Sequence, residues 1–193
     1  MIIDFHTHIF PDAIAQKTIP FLEKRSGITA ATDGTLTGLL HSMEQSGVDL
    51  SVIMPVVTKP SQFDSINVFA KNINEQSKGN VLSFGGIHPD CENYKEKLEY
   101  IKSLGLPGIK LHPDYQGVFI DDVRFMRIIE YANELGLIIL QSRHSELLGH
   151  GVKDKHIRHL YRPLHVNNLL QSIGRVRLID YENACRIGLN HLR

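Results

Sequence analysis

Four side chains stand where chemistry is easiest to build: His6 and His8 near the N-terminus, and Lys110 and His112 further on, each pair separated by one residue. Residues two apart in a strand point to the same face, so each pair aims its polar groups one way. Two neutral imidazoles converging on a point make half of a site for zinc or a similar divalent ion. An ammonium beside an imidazole suits an anionic carboxylate. The competing readings are ordinary ones: solvated histidines at a strand end for DFHTH, and a surface lysine with a turn histidine for GIKLHPD. His88 precedes Pro89, which marks a rigid turn and makes this histidine structural. The pattern identifies no catalytic acid, base or nucleophile.

The elements that must position these residues alternate along positions 1 to 140. Short apolar runs at Ile2–Phe5, Leu50–Pro55, Val81–Ile87, Gly108–Leu111 and Leu137–Leu140 read as strands buried on both faces of a parallel sheet. Between them Leu36, Leu39, Leu40 and Met43 keep helical spacing before Gly47, and Phe63, Ile66, Ala70 and Ile73 before Gly79. Leu98, Ile101 and Leu104 do so before Gly105, and Val123, Met126, Ile129, Ala132 and Leu135 before Gly136. This rhythm predicts an α/β fold of βα units whose helical stripes are core. Four of the five strands run into polar clusters at their C-terminal ends: His6–His8, Pro55–Lys59, His88–Asp90 and Lys110–Asp114. That end is where parallel α/β folds place their sites.

Composition narrows the classes. Charged residues are 22%, and no apolar run approaches the roughly 20 residues of a membrane span, so no membrane partner is expected. The start lacks a basic leader, and two cysteines, Cys91 and Cys185, fit a reducing compartment; the expectation is a cytoplasmic protein whose metal is held by His and carboxylate. A net charge of zero argues against nucleic acid as partner. It hides an asymmetry, since residues 1–140 carry 12 Lys+Arg against 17 Asp+Glu and residues 141–193 carry 9 against 4.

The segments DFHTHIFPD, QSGVDLSVIMP, FGGIHPD, GIKLHPDYQG and YANELGLIIL, in this order, resemble the amidohydrolase-related branch of the metal-dependent hydrolases over residues 1–140. His-x-His alone would equally suit TatD-like nucleases or the polymerase-and-histidinol-phosphatase family. The resemblance implies a (β/α)8 TIM-type barrel with one or two divalent ions, most simply zinc, at its mouth, and His6 and His8 as the first metal ligands. It also implies a small-molecule substrate, either hydrolysed at an amide or lactone or decarboxylated without oxidation; the alternative is an inactive truncated chain that lacks the later metal ligands. Lys110 and His112 are the candidate substrate-side groups.

Beyond position 140 the pattern departs. The resemblance implies a metal-binding His after Leu137–Leu140, near Ser142, where the nearest imidazole is His144; a late Asp is implied too, and Asp180 after VRLI is the one acid following an apolar run. His150 is a further imidazole of the tail. A full barrel takes about 250 residues, so 193 predict an incomplete one, about five βα units followed by a divergent tail. Residues 141–193 hold none of the eight Phe and six of the eleven His. Three readings of this tail stay open: a product of a lost coding frame, a divergent segment helical over Lys155–Ile173, or a basic arm. An uncovered edge at the fifth strand would favour self-association into a homo-oligomer.

Overall fold

The N-terminal apolar run forms β1 (Ile2–Thr7), two residues longer than expected, so that His6 and Thr7 belong to the strand itself. The computed structural model describes residues 1–119, 121–141 and 177–179. In its first unit, β1 lies between β2 (Leu50–Ile53) and β7 (Arg177–Ile179), parallel to both, and β3 (Val81–Ser83) flanks β2. Register pairs Ile3 with Leu50 and Asp4 with Ser51 on one side, and Ile3 with Leu178 and Asp4 with Ile179 on the other. The tail therefore contributes a strand, from the run that Arg177 interrupts. Asp180, His144, His150, Ser142 and the expected helix over Lys155–Ile173 lie outside the described residues.

Two helices accompany this sheet. α1 (Asp12–Ser26) has no counterpart in the sequence reading, because Pro20 sits inside it and Ile14 and Phe21 face solvent, which blurs the apolar stripe. α2 (Leu36–Ser46) follows the expected pattern: the Thr35 hydroxyl accepts from Gly38 N–H at 3.0 Å, and Leu39 and Met43 turn inward. Gly47 ends it at φ 66°, a conformation in which a Cβ would crowd the carbonyl.

The second unit carries the sheet β4 (Gly85–Gly86), β5 (Gly108–Leu111) and β6 (Ile138–Gln141), all parallel. Here the expected strand Val81–Ile87 divides at Phe84, its first half joining one sheet and its second half the other. α4 (Tyr94–Ser103) and α6 (Val123–Glu134) pack Leu98, Ile101, Phe125, Ile128 and Ala132 into one buried cluster with Ile109 and Leu111 of β5. The Asp122 carboxylate caps α6 by accepting from Arg124 N–H at 2.8 Å. Among the described residues β6 is paired on one side only, to β5, and no helix is long and apolar enough to cross a membrane.

α3 (Phe63–Gln76) supplies a buried amide that extends the ladder beyond β4. Asn67 donates from Nδ2 to Phe63 O at 2.7 Å and to Gly86 O at 2.9 Å, and its Oδ1 accepts from Gly86 N–H at 3.0 Å. This approach requires glycine at position 85, where a Cβ would lie 2.5 Å from Asn67 Oδ1 and 3.0 Å from Leu106 Cδ1. The amide cannot give way without losing its bonds. Gly85→Ala should therefore lower stability by about 1–3 kcal/mol, read as a lower urea midpoint with an unchanged slope; an unaltered midpoint would refute the close packing.

Candidate functional site

Thr7 fixes the C-terminal end of β1. Its hydroxyl donates to Val52 O at 2.8 Å and its carbonyl accepts from Met54 N–H at 3.0 Å, so this end is tied to the chain of β2 on both sides of one residue. Between the pairs Asp4–Ser51 and Thr7–Ile53, β1 spends three steps where β2 spends two. A bulge of this kind re-aims the side chains at a strand end. His6 lies within it, and its N–H is held by Asp4 Oδ1 at 3.1 Å.

The two imidazoles converge. Nε2 of His6 and Nε2 of His8 are 3.1 Å apart, with the rings edge to face at 66°. Two ring nitrogens that share one ion at about 2.0–2.1 Å are separated by about 3.0 Å at a right angle and about 3.4 Å at the tetrahedral angle. The pair falls between those values, so the separation of the two nitrogens suits one shared divalent cation. Without an ion the same contact is a hydrogen bond that one ring donates and the other accepts. Among the described residues no group of three or more His, Cys, Asp or Glu is placed to hold a metal. His6 and His8 would fill two of the four or more positions of such an ion.

Lys110 and His112 belong to the second unit. Lys110 sits in β5 opposite Gly86 and Leu140, on the face away from Ile109 and Leu111, and is 1% exposed. Burial lowers its pKa to about 8. His112 is past the end of the strand, at φ −141° and ψ 88°, where it starts the short helix α5 (Pro113–Gln116); strand alternation therefore does not set its direction. Its ring stacks on Tyr115 instead, centroids 4.1 Å apart and planes 15° off parallel.

Gln116 is the residue that sequence reasoning missed. It is 5% exposed, and its Nε2 donates to Val57 O at 2.9 Å and to Ile87 O at 2.8 Å, while Oε1 accepts from His112 N–H at 2.8 Å. Its only local signal is the spacing of four residues from His112, at the start of a turn bounded by Pro113 and Gly117.

His88 takes the structural role read from the sequence. Its Nδ1 accepts from Asp90 N–H at 3.1 Å, which requires a lone pair there, so the proton of the neutral ring sits on Nε2 and neither nitrogen is left for a cation. Burial lowers its pKa, with Asp90 opposing, which favours that neutral ring. Asp90 in turn accepts from Arg124 Nη1 at 2.6 Å, and Arg124 binds both oxygens of Asp122 at 2.9 Å. The loop after β4 is thereby locked to the start of α6.

No family model matches the chain, and no curated protein does. Solved structures do. The apo form of IDCase from Metarhizium anisopliae is 17% identical with a TM-score of 0.58, over 73% of this chain and 50% of that one. The 5-carboxyvanillate decarboxylase of Novosphingobium aromaticivorans, solved with bound manganese, is 15% identical with a TM-score of 0.53, over 72% and 49%. A structure of amidohydrolase II is 14% identical with a TM-score of 0.56, over 80% and 54%. The chain spans about half the length of these proteins. Over the part that matches, it has the parallel α/β fold of these proteins.

The buried lysine gives a pH test. Below pH 8 the fold holds a charge that burial disfavours; between about 8 and 10.5 the folded Lys110 is neutral while the unfolded one still binds its proton. Stability should therefore rise with pH across that interval, by roughly 3 kcal/mol in total, relative to Lys110→Met. Urea midpoints of both proteins at pH 7.5 and 10.5 check this, and parallel curves would contradict it.

Proposed function

We propose that this chain is a divalent-metal-dependent hydrolase of the amidohydrolase-related family, acting on a small carbonyl or carboxylate substrate. Its scaffold on this reading is of the (β/α)8 type, of which residues 1–140 supply about five units. The observation that carries the reading is the 3.1 Å approach of His6 Nε2 to His8 Nε2 at the end of β1. Zinc is the ion best suited to two neutral imidazoles, and manganese, present in the 5-carboxyvanillate decarboxylase, is the alternative. A divalent ion at this pair supplies Lewis-acid chemistry: it polarises a carbonyl and lowers the pKa of a water towards about 7. His6 and His8 would hold it as neutral ligands and leave its charge uncancelled. Within the second unit by itself, Lys110 and His112 are the candidate carboxylate-binding groups, the ammonium form of Lys110 prevailing below its pKa of about 8. A cytoplasmic location suits an enzyme whose described residues include a buried free thiol, Cys91.

A second reading, nonoxidative decarboxylation on the same scaffold, draws support from the fold likeness to 5-carboxyvanillate decarboxylase. Carbon dioxide release without net consumption of water distinguishes it from hydrolysis.

Zinc and manganese affinities of the wild type should each exceed those of His6→Ala and His8→Ala by more than about tenfold, with His41→Ala as an unaffected control. Calorimetric titration of all four proteins measures this. Equal affinities would remove the basis for the metal reading.

A further inference from the structure

We infer that Gln116 is a positioning residue, holding the strand ends around Lys110 and His112 in one arrangement through a single buried carboxamide. The inference rests on the reading of Lys110 and His112 as substrate-side groups. Its grounds are geometric. Gln116 bonds three backbone groups that lie 59, 29 and 4 residues away: Val57 O beyond β2, Ile87 O at the end of β4 and His112 N–H at the end of β5. Both amide hydrogens and the amide oxygen are used, so the side chain has one orientation; exchanging N and O would break all three bonds at once. The same residue grips His112 a second time, because Gln116 N–H donates to His112 O at 3.0 Å. With both backbone groups of His112 held and its ring laid on Tyr115, the imidazole has little freedom left.

A residue that merely filled the core would not need this chemistry. Leu or Met would occupy the volume, but Val57 O, Ile87 O and His112 N–H would each lose this bond, and a buried group left unpaired costs about 1–3 kcal/mol. The three loops would part to reach water. The first consequence is a change in how His112 is aimed, ahead of any loss of the core formed by Phe125 and Ile128.

The test compares wild type with Gln116→Met, which keeps the volume and loses every side-chain bond, and with Gln116→Glu, which keeps the acceptor for His112 N–H and sets a carboxylate against two carbonyl oxygens. The reading is the His112 Hε1 resonance in the folded chain, which the stacked Tyr115 ring displaces. Gln116→Met should move this resonance while those of His41 and His88 stay in place, and Gln116→Glu should move it less. An unmoved His112 resonance in a folded Gln116→Met chain overturns the inference. Should neither variant fold, the wild type decides: protection of the His112 amide from hydrogen exchange supports the bond to Gln116, and exchange at the rate of an open amide overturns it. None of these readings involves a metal. Failure of metal binding at His6 and His8 would count against the proposed function and leave this result standing.

Discussion

A backbone group taken out of water must find a partner, and at the ends of short parallel strands the ladder no longer provides one. Asn67 and Gln116 provide it in the second unit. Each is a buried primary amide with both hydrogens donated and its oxygen accepting, and each stands in for a missing neighbour strand. Gly85 follows from Asn67, since a side chain there would collide with its Oδ1. The position of His112 follows from Gln116. What looks like a loose set of loops after the strands is thus fixed by two side chains whose bonds reach across tens of residues.

The first unit solves the same problem with backbone and one hydroxyl. Thr7 is bonded to Val52 and Met54, and β1 has a parallel neighbour on both sides. This leaves the residues flanking Thr7 to aim their rings at a common point. The approach of the two rings is therefore a property of an anchored strand end. A site organised in advance would lower the entropy that binding an ion must overcome.

Local patterns were readable where a single interaction decides local structure. Asp122, the helical period through Ala132 and the following Gly136 mark the extent of α6, but its inward face is shifted from the expected stripe: Val123 is 75% exposed, and Phe125 and Ile128 are buried beside Ile129 and Ala132. The convergence of His6 and His8 was readable from their spacing, although a bulge rather than strict alternation delivers it. The division of Val81–Ile87 between two sheets was not, because an unbroken apolar run carries no mark of the change at Phe84. Gln116 was invisible for the same kind of reason: the carbonyls of Val57 and Ile87 have no sequence signature, and only the folded chain brings them to one amide. α1 was hidden by Pro20 and by apolar side chains that face water.

The central claim is that His6 and His8 form one metal-binding pair. Ring nitrogen resonances of 15N-histidine-labelled protein, followed during zinc addition, test it most directly. The Nε2 signals of His6 and His8 should move together and be complete by the first equivalent, with the His88 ring unchanged. If both stay at their metal-free positions in excess zinc, the pair is a hydrogen-bonded strand end and the proposed function falls.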